Sequence, residues 1–142
     1  MEINKVTTFL WFNNQAEEAA KFYCSIFKDS KIINVNPMMV TFELEGQRFT
    51  AANFGPQFKF NEAISIFINC ETQEEVDFFW NKLTADGGKE GQCGWLKDKF
   101  GLSWQIVPTI LSKLMSDPAK QERVTKAFMQ MTKFDIAALK NA

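Results

Sequence analysis

Residues 93–107, CGWLKDKFGLSWQIV, predict a β-hairpin. Residues 93–97 supply one apolar run and residues 102–107 the other. Between them, Asp98-Lys99-Phe100-Gly101 places Asp first and Gly fourth in a four-residue turn, which is type I chemistry. Trp95 and Trp104 flank the turn, and aromatic residues favour strands. Strand alternation sets Ser103, Gln105 and Val107 on one face and Leu102, Trp104 and Ile106 on the other. The second set is core. The first carries Ser103 and Gln105 side by side, and a polar face in an apolar protein meets either solvent or a cavity.

Immediately upstream, Gly87-Gly88 ends a helix that Thr72 begins, and Glu75 completes a capping box with Thr72. Residues 63–69, AISIFIN, form the strand before that helix. Residues 54–62, FGPQFKFNE, are irregular and read as a linker. The same order of elements occurs upstream of the linker. Residues 6–12 predict a strand, and Asn14 is a candidate N-cap for a helix over 15–27. That helix carries Ala16, Ala19, Ala20, Tyr23, Ile26 and Phe27 as an apolar stripe. Strands follow over 31–35, 39–44 and 47–53, with Glu45-Gly46 as a hairpin turn. Residues 16–23 lie over residues 73–80 at an offset of 57, and at that offset Thr8-Phe9-Leu10 falls on Ser65-Ile66-Phe67. A strand–helix–strand–strand–strand module is therefore duplicated.

After Pro108 the pattern turns helical. A short amphipathic helix covers 109–115, Asp117-Pro118 starts another that runs to about Met131, and a last turn covers 136–139. Met115, Met129 and Met131 lie in this tail, which packs on its own sheet or on a partner subunit.

The 142 residues bound one domain: module one over about 1–54, module two over about 62–108, and a helical tail over 109–142. A net charge of −1 with no basic block argues against nucleic acid as a partner. No apolar run approaches the ~18 residues of a membrane helix, and no signal-peptide pattern opens the chain. The cysteines Cys24, Cys70 and Cys93 are few and widely spaced, as expected of free thiols in a cytoplasmic protein. The sequence has no histidine, so imidazole acid–base, nucleophile-activating and metal-ligating chemistry is excluded. Cys93 then makes a poor nucleophile, because no imidazole stands beside it. Gly87-Gly88-x-x-Gly91-x-x-Gly94 lacks the strand-before, helix-after context of a nucleotide loop and reads as turn and bulge glycines. No catalytic residue is identified.

Several segments together resemble the PhnB-like, 3-demethylubiquinone-9 3-methyltransferase-like branch of the vicinal oxygen chelate superfamily, which includes glyoxalase I, bleomycin-resistance proteins and extradiol dioxygenases. They are Phe9-Leu10-Trp11-Phe12, Ala16-Glu17-Glu18-Ala19 with Phe22-Tyr23, Phe58-Lys59-Phe60-Asn61-Glu62-Ala63, the run from Cys93 to Gln105, and Asp135-Ile136-Ala137-Ala138-Leu139. The resemblance implies an α+β fold of paired βαβββ modules, each a cupped sheet, with a ligand cavity and a homodimer. In metal-dependent members, inward residues of the first and last strands hold a divalent ion. Carried onto this chain, those positions fall near Thr8, Ser65, Asn53 and Gln105, the last standing where the family usually has Glu. Trp95 and Phe49 are candidates for the apolar wall of the cup or for plain core. Trp11 and Trp104, out of phase with Thr8 and Gln105, are read as packing beneath the helices.

Thr, Ser, Asn and Gln are neutral donors, whereas a transition metal prefers imidazole, thiolate or carboxylate. The expectation is a small-molecule-binding protein with no tightly bound metal and no cofactor, using Thr8, Phe49, Asn53, Ser65, Trp95 and Gln105 as ligand contacts. Two alternatives stand beside it. One is an enzyme on a small polar or aromatic substrate, whether methyltransferase or metal-dependent lyase or dioxygenase. The other is a structural dimer without ligand. The methyltransferase name finds no glycine-rich S-adenosylmethionine loop and no doubly wound sheet in support.

Overall fold

The β-turn at Glu45-Gly46 shows how local chemistry sets the first module. Both residues are left-handed, with φ of 49° and 85°, as a two-residue hairpin loop of the primed type requires. It joins β3 (Met39–Leu44) to β4 (Gln47–Asn53). In this computed structural model, which describes residues 4–142, the described residues divide into two compact units, one running to Lys59 and the other over Phe60–Ala142. The first unit also contains β1 (Thr8–Phe12), α1 (Ala16–Ile26) and β2 (Ser30–Val35). Its sheet runs β1-β4-β3-β2, with β1 parallel to β4 and the other pairs antiparallel. Ala16, Ala19 and Ala20 of α1 are wholly buried, and such small residues let the helix lie close on the sheet. Tyr23 of α1 meets Phe42 of β3 at 6.1 Å between ring centroids, and Phe42 stacks on Phe49 of β4 at 5.2 Å.

The second unit repeats the order with β5 (Ser65–Cys70), α2 (Gln73–Thr84), β6 (Lys89–Glu90), β7 (Trp95–Lys97) and β8 (Ser103–Pro108). Its sheet runs β5-β8-β7-β6, and β5 is parallel to β8. Val76, Trp80 and Leu83 of α2 are buried, as are Ile68, Leu96, Trp104 and Ile106 of the sheet. The Trp80 indole N–H donates to Glu90 Oε1 at 2.6 Å, tying the helix to the two-residue edge strand. Thr72 caps α2 as expected, its Oγ1 accepting from Glu75 N at 3.1 Å. Glu75 reaches back to Glu71 N and not to Thr72 N, so the box closes one residue early.

The hairpin turn at residues 98–101 forms around a carboxylate. Gly101 N donates to Asp98 O at 2.9 Å, closing the turn. Asp98 Oδ1 accepts from Phe100 N and Leu102 N at 2.8 and 3.1 Å, and Oδ2 accepts from Trp104 Nε1 at 2.9 Å. Asp98 is 2% exposed, so these donors replace its water. The first hairpin strand is shorter than expected. Cys93 and Gly94 have φ of 57° and 83°, which is turn and not strand geometry.

The tail explains that turn. It forms α3 (Ile110–Met115), α4 (Pro118–Phe128) and α5 (Ile136–Lys140). Cys93 N and Gly94 N donate to Met131 O and Thr132 O, both at 2.8 Å. A Cβ on Gly94 would lie 2.5 Å from the Phe134 ring, so only glycine admits that ring. Gln73 at the start of α2 clamps the same segment, donating to Phe134 O and accepting from Ile136 N. Phe134 joins Val107, Leu114, Val124 and Leu139 in one buried cluster. The tail thus packs on its own module.

Two outcomes follow from this packing. Asp98→Ala orphans at least three N–H donors and should lower the free energy of unfolding by about 3 kcal/mol in urea titration. Asp98→Asn should recover only part of that loss, since it keeps an acceptor for Phe100 N and Leu102 N but turns the other oxygen into a donor facing the Trp104 N–H. Burial pushes the Cys70 thiol up to about 12. A neutral buried thiol favours the fold until the unfolded chain ionises, so its contribution is intact below pH 9 and lost as pH rises toward 12. Stability measured from pH 8 to 11 should therefore fall less steeply in Cys70→Ala than in the parent.

Candidate ligand-binding site

Register across the second sheet builds two rows on the face turned away from α2. Lys89 pairs with Lys97, Lys97 with Ser103, and Ser103 with Ser65. The adjacent row is Trp95, Gln105 and Phe67, again paired strand to strand. One row is cationic and hydroxylic, and the other is an amide between two aromatic side chains. Gln105 Nε2 donates to Ser65 Oγ at 3.0 Å, joining the rows. Phe67 is half exposed. Val107, next along the same face, belongs to the tail cluster, so the tail covers this face at that end.

A cavity of about 250 Å³ opens beside the first row, lined by Glu62, Lys89, Trp95, Lys97 and Ser103 among others. Lys97 Nζ lies 3.1 Å from Glu62 Oε1. That hydrogen bond, with the lysine charge, holds the Glu62 carboxyl below the ordinary carboxylate range. The Ser103 side chain is wholly buried, and its Oγ has no hydrogen-bond partner among the described residues. A buried hydroxyl without a partner is costly, which makes Ser103 the least satisfied polar group of this face.

The structure brings together three of the six residues expected to contact ligand: Ser65, Trp95 and Gln105. Thr8, Phe49 and Asn53 take the opposite orientation, toward α1. Thr8 pairs with Phe49, which stacks on Phe42 beneath Tyr23. Asn53 Oδ1 accepts from Ala16 N at 2.9 Å and so caps α1, a role expected of Asn14. For Thr8 the cause is one residue of loop, and Phe49 and Asn53 share its face through the pairing of β4 with β1. Buried helix residues correspond at an offset of 57, as in Ala19 with Val76 and Tyr23 with Trp80. Buried strand residues correspond at 58, as in Leu10 with Ile68 and Phe12 with Cys70. Carrying the helix offset into the strand moves each side chain to the other face, because strand alternation has period two.

Trp11 departs from its expected place beneath the helix for the same reason. It lies on the face away from α1, its ring 5.1 Å from Phe54 and 4.9 Å from Phe58, with its N–H on Gly55 O at 2.9 Å. Trp104 is buried toward the helix side, as expected. Lys89, Lys97 and Glu62 also line the cavity, outside the six expected contacts. The signal for Lys97 was its parity with Trp95, and for Ser103 its parity with Gln105.

This donor set does not fit a divalent transition metal. Its groups nearest the expected metal positions are neutral hydroxyls and amides, and no cluster of three or more His, Cys, Asp or Glu that could hold an ion occurs among the described residues. No helix among them is long and apolar enough to cross a membrane.

Comparison with known proteins agrees with this architecture. The family model of 3-demethylubiquinone-9 3-methyltransferase matches residues 4–107. The PhnB protein from Bacillus cereus, assigned by name to the same methyltransferases, is similar at 34% identity with a TM-score of 0.70, covering 75% of this chain and 100% of that one. Protein PA1353 from Pseudomonas aeruginosa shares the fold at 17% identity and a TM-score of 0.61, over 75% of this chain and 98% of that one. The fosfomycin resistance protein FosX from Listeria monocytogenes, solved with Mn(II) and sulfate, shares the fold at 16% identity and a TM-score of 0.60, over 82% and 98%. No curated protein matches the sequence. With the family model covering both βαβββ modules, the chain belongs to the PhnB-like 3-demethylubiquinone-9 3-methyltransferase family, within the glyoxalase and bleomycin-resistance fold.

Proposed function

We propose that this protein binds a small, flat, oxygen-bearing aromatic molecule on the far face of its second sheet. The observation that carries the reading is the buried Ser103 hydroxyl, without a partner among the described residues, on the same face as Trp95 and the Gln105–Ser65 pair. An indole and a phenyl ring flank an amide there, so one row offers stacking surface and hydrogen-bonding capacity together. Gln105 donates one N–H to Ser65, and its carbonyl oxygen remains suited to accept from a ligand hydroxyl. The cavity that adjoins this row at Trp95, of about 250 Å³, is smaller than the sites that hold drug-sized molecules, which favours a small compound. The homodimer implied by the family resemblance is part of the same proposal, and light scattering of the purified chain tests it.

Catechol is a suitable probe, with isothermal titration as readout and native mass spectrometry of the purified protein as companion. Gln105→Leu should weaken catechol binding about tenfold, the value of one lost hydrogen bond with its partner left unpaired. Ser103→Ala should also weaken it, while leaving the stability of the free protein unchanged or raised by up to about 1 kcal/mol. Equal catechol affinity in the parent and both variants would remove this site. No binding of catechol, together with no organic species retained in native spectra, would overturn the reading itself.

A further inference from the structure

The cationic row beside the aromatic row extends that reading to the charge of the ligand. We propose that the molecule bound here carries a carboxylate, received between Lys89 and Lys97 beside the Ser103 hydroxyl, with Glu62 as the internal carboxylate that it displaces. The proposal rests on the binding reading above.

Two lysines directly opposite each other on adjacent strands repel, so the edge of this sheet bears an electrostatic cost in the absence of a counter-charge. Glu62 offsets one of them through its ion pair with Lys97. Lys89 makes no ion pair among the described residues. The other carboxylate of the cavity, Glu90, is engaged by the Trp80 indole N–H. Glu90 pairs with Leu96 and so takes the α2 side of the strand, which leaves Glu62 as the carboxylate set against Lys89 and Lys97 on the other face.

The Glu62–Lys97 pair is exposed enough to exchange, with side-chain exposures of 65% and 38%. Such pairs are held weakly, so an incoming carboxylate loses little by replacing Glu62. The replacement also gains Lys89, which Glu62 leaves without an ion pair. Ser103 lines the same cavity, and its hydroxyl is suited to donate to a carboxylate oxygen. The geometry then reads as a body-and-head site. The ring lies along Trp95, Gln105 and Phe67, and the carboxylate lies along Lys89, Lys97 and Ser103.

The test compares benzoate with its neutral analogue benzamide in ¹H–¹⁵N NMR titrations of the full chain. Both should shift the backbone amides of Trp95, Ser103 and Gln105, and benzoate should bind about tenfold tighter, as expected for charge-assisted hydrogen bonds. Lys89→Gln should abolish most of that preference, and Glu62→Gln should tighten benzoate several-fold while leaving benzamide unchanged. Equal affinity for the two compounds, or a preference that survives Lys89→Gln, would overturn the carboxylate site and leave the aromatic reading standing. If neither compound moves those amides, both readings fall.

Discussion

A single buried carboxylate holds the second module in register. Asp98 accepts from two backbone N–H groups of its own turn and from the Trp104 indole two positions into β8. A carboxylate removed from water is tolerated only when its oxygens are filled, so the turn and the start of the strand must form together. The register of β7 on β8 follows from that turn. So does the pairing of Trp95 with Gln105 and of Lys97 with Ser103, which makes the two rows of the candidate site. The same indole that satisfies Asp98 fills the core on the helix side, so one residue links the turn to the packing of α2.

The tail adds a second constraint on the same hairpin. Phe134 sits where Gly94 lacks a side chain, and two backbone bonds from Cys93 and Gly94 close that contact. Trp95 is the next residue along the chain. The tail therefore borders the face of the candidate site, covering it at Val107 and holding the turn that precedes Trp95. It lies beyond the residues matched by the family model, yet it is built into the core of the second module and is not an appendage.

Much of this was legible in the chain. Glu45-Gly46 and Asp98 to Gly101 announced their turns through residue chemistry that only a few conformations accept. Thr72 and Glu75 announced a helix start, and the stripe from Ala16 to Ile26 announced which side of α1 is buried. The duplicated module was visible because helix patterning survives as spacing. The pairing of Ser65 with Gln105 was within reach because both share strand parity with residues whose side was already clear.

What the sequence alone determined was the order and type of the elements, since caps, turns and periodicity are local properties. Tertiary structure alone decided which sheet face received Thr8, because one extra residue between β1 and α1 reverses every side chain of a period-two strand, and Phe49 and Asn53 share that face through the pairing of β4 with β1. It also decided that Asn53 caps a helix 37 residues away in sequence, that Phe134 lands on Gly94, and that Lys89 faces Lys97. These are meetings between distant segments. They arise from how strands pair and helices pack, and no local preference of the residues involved encodes them.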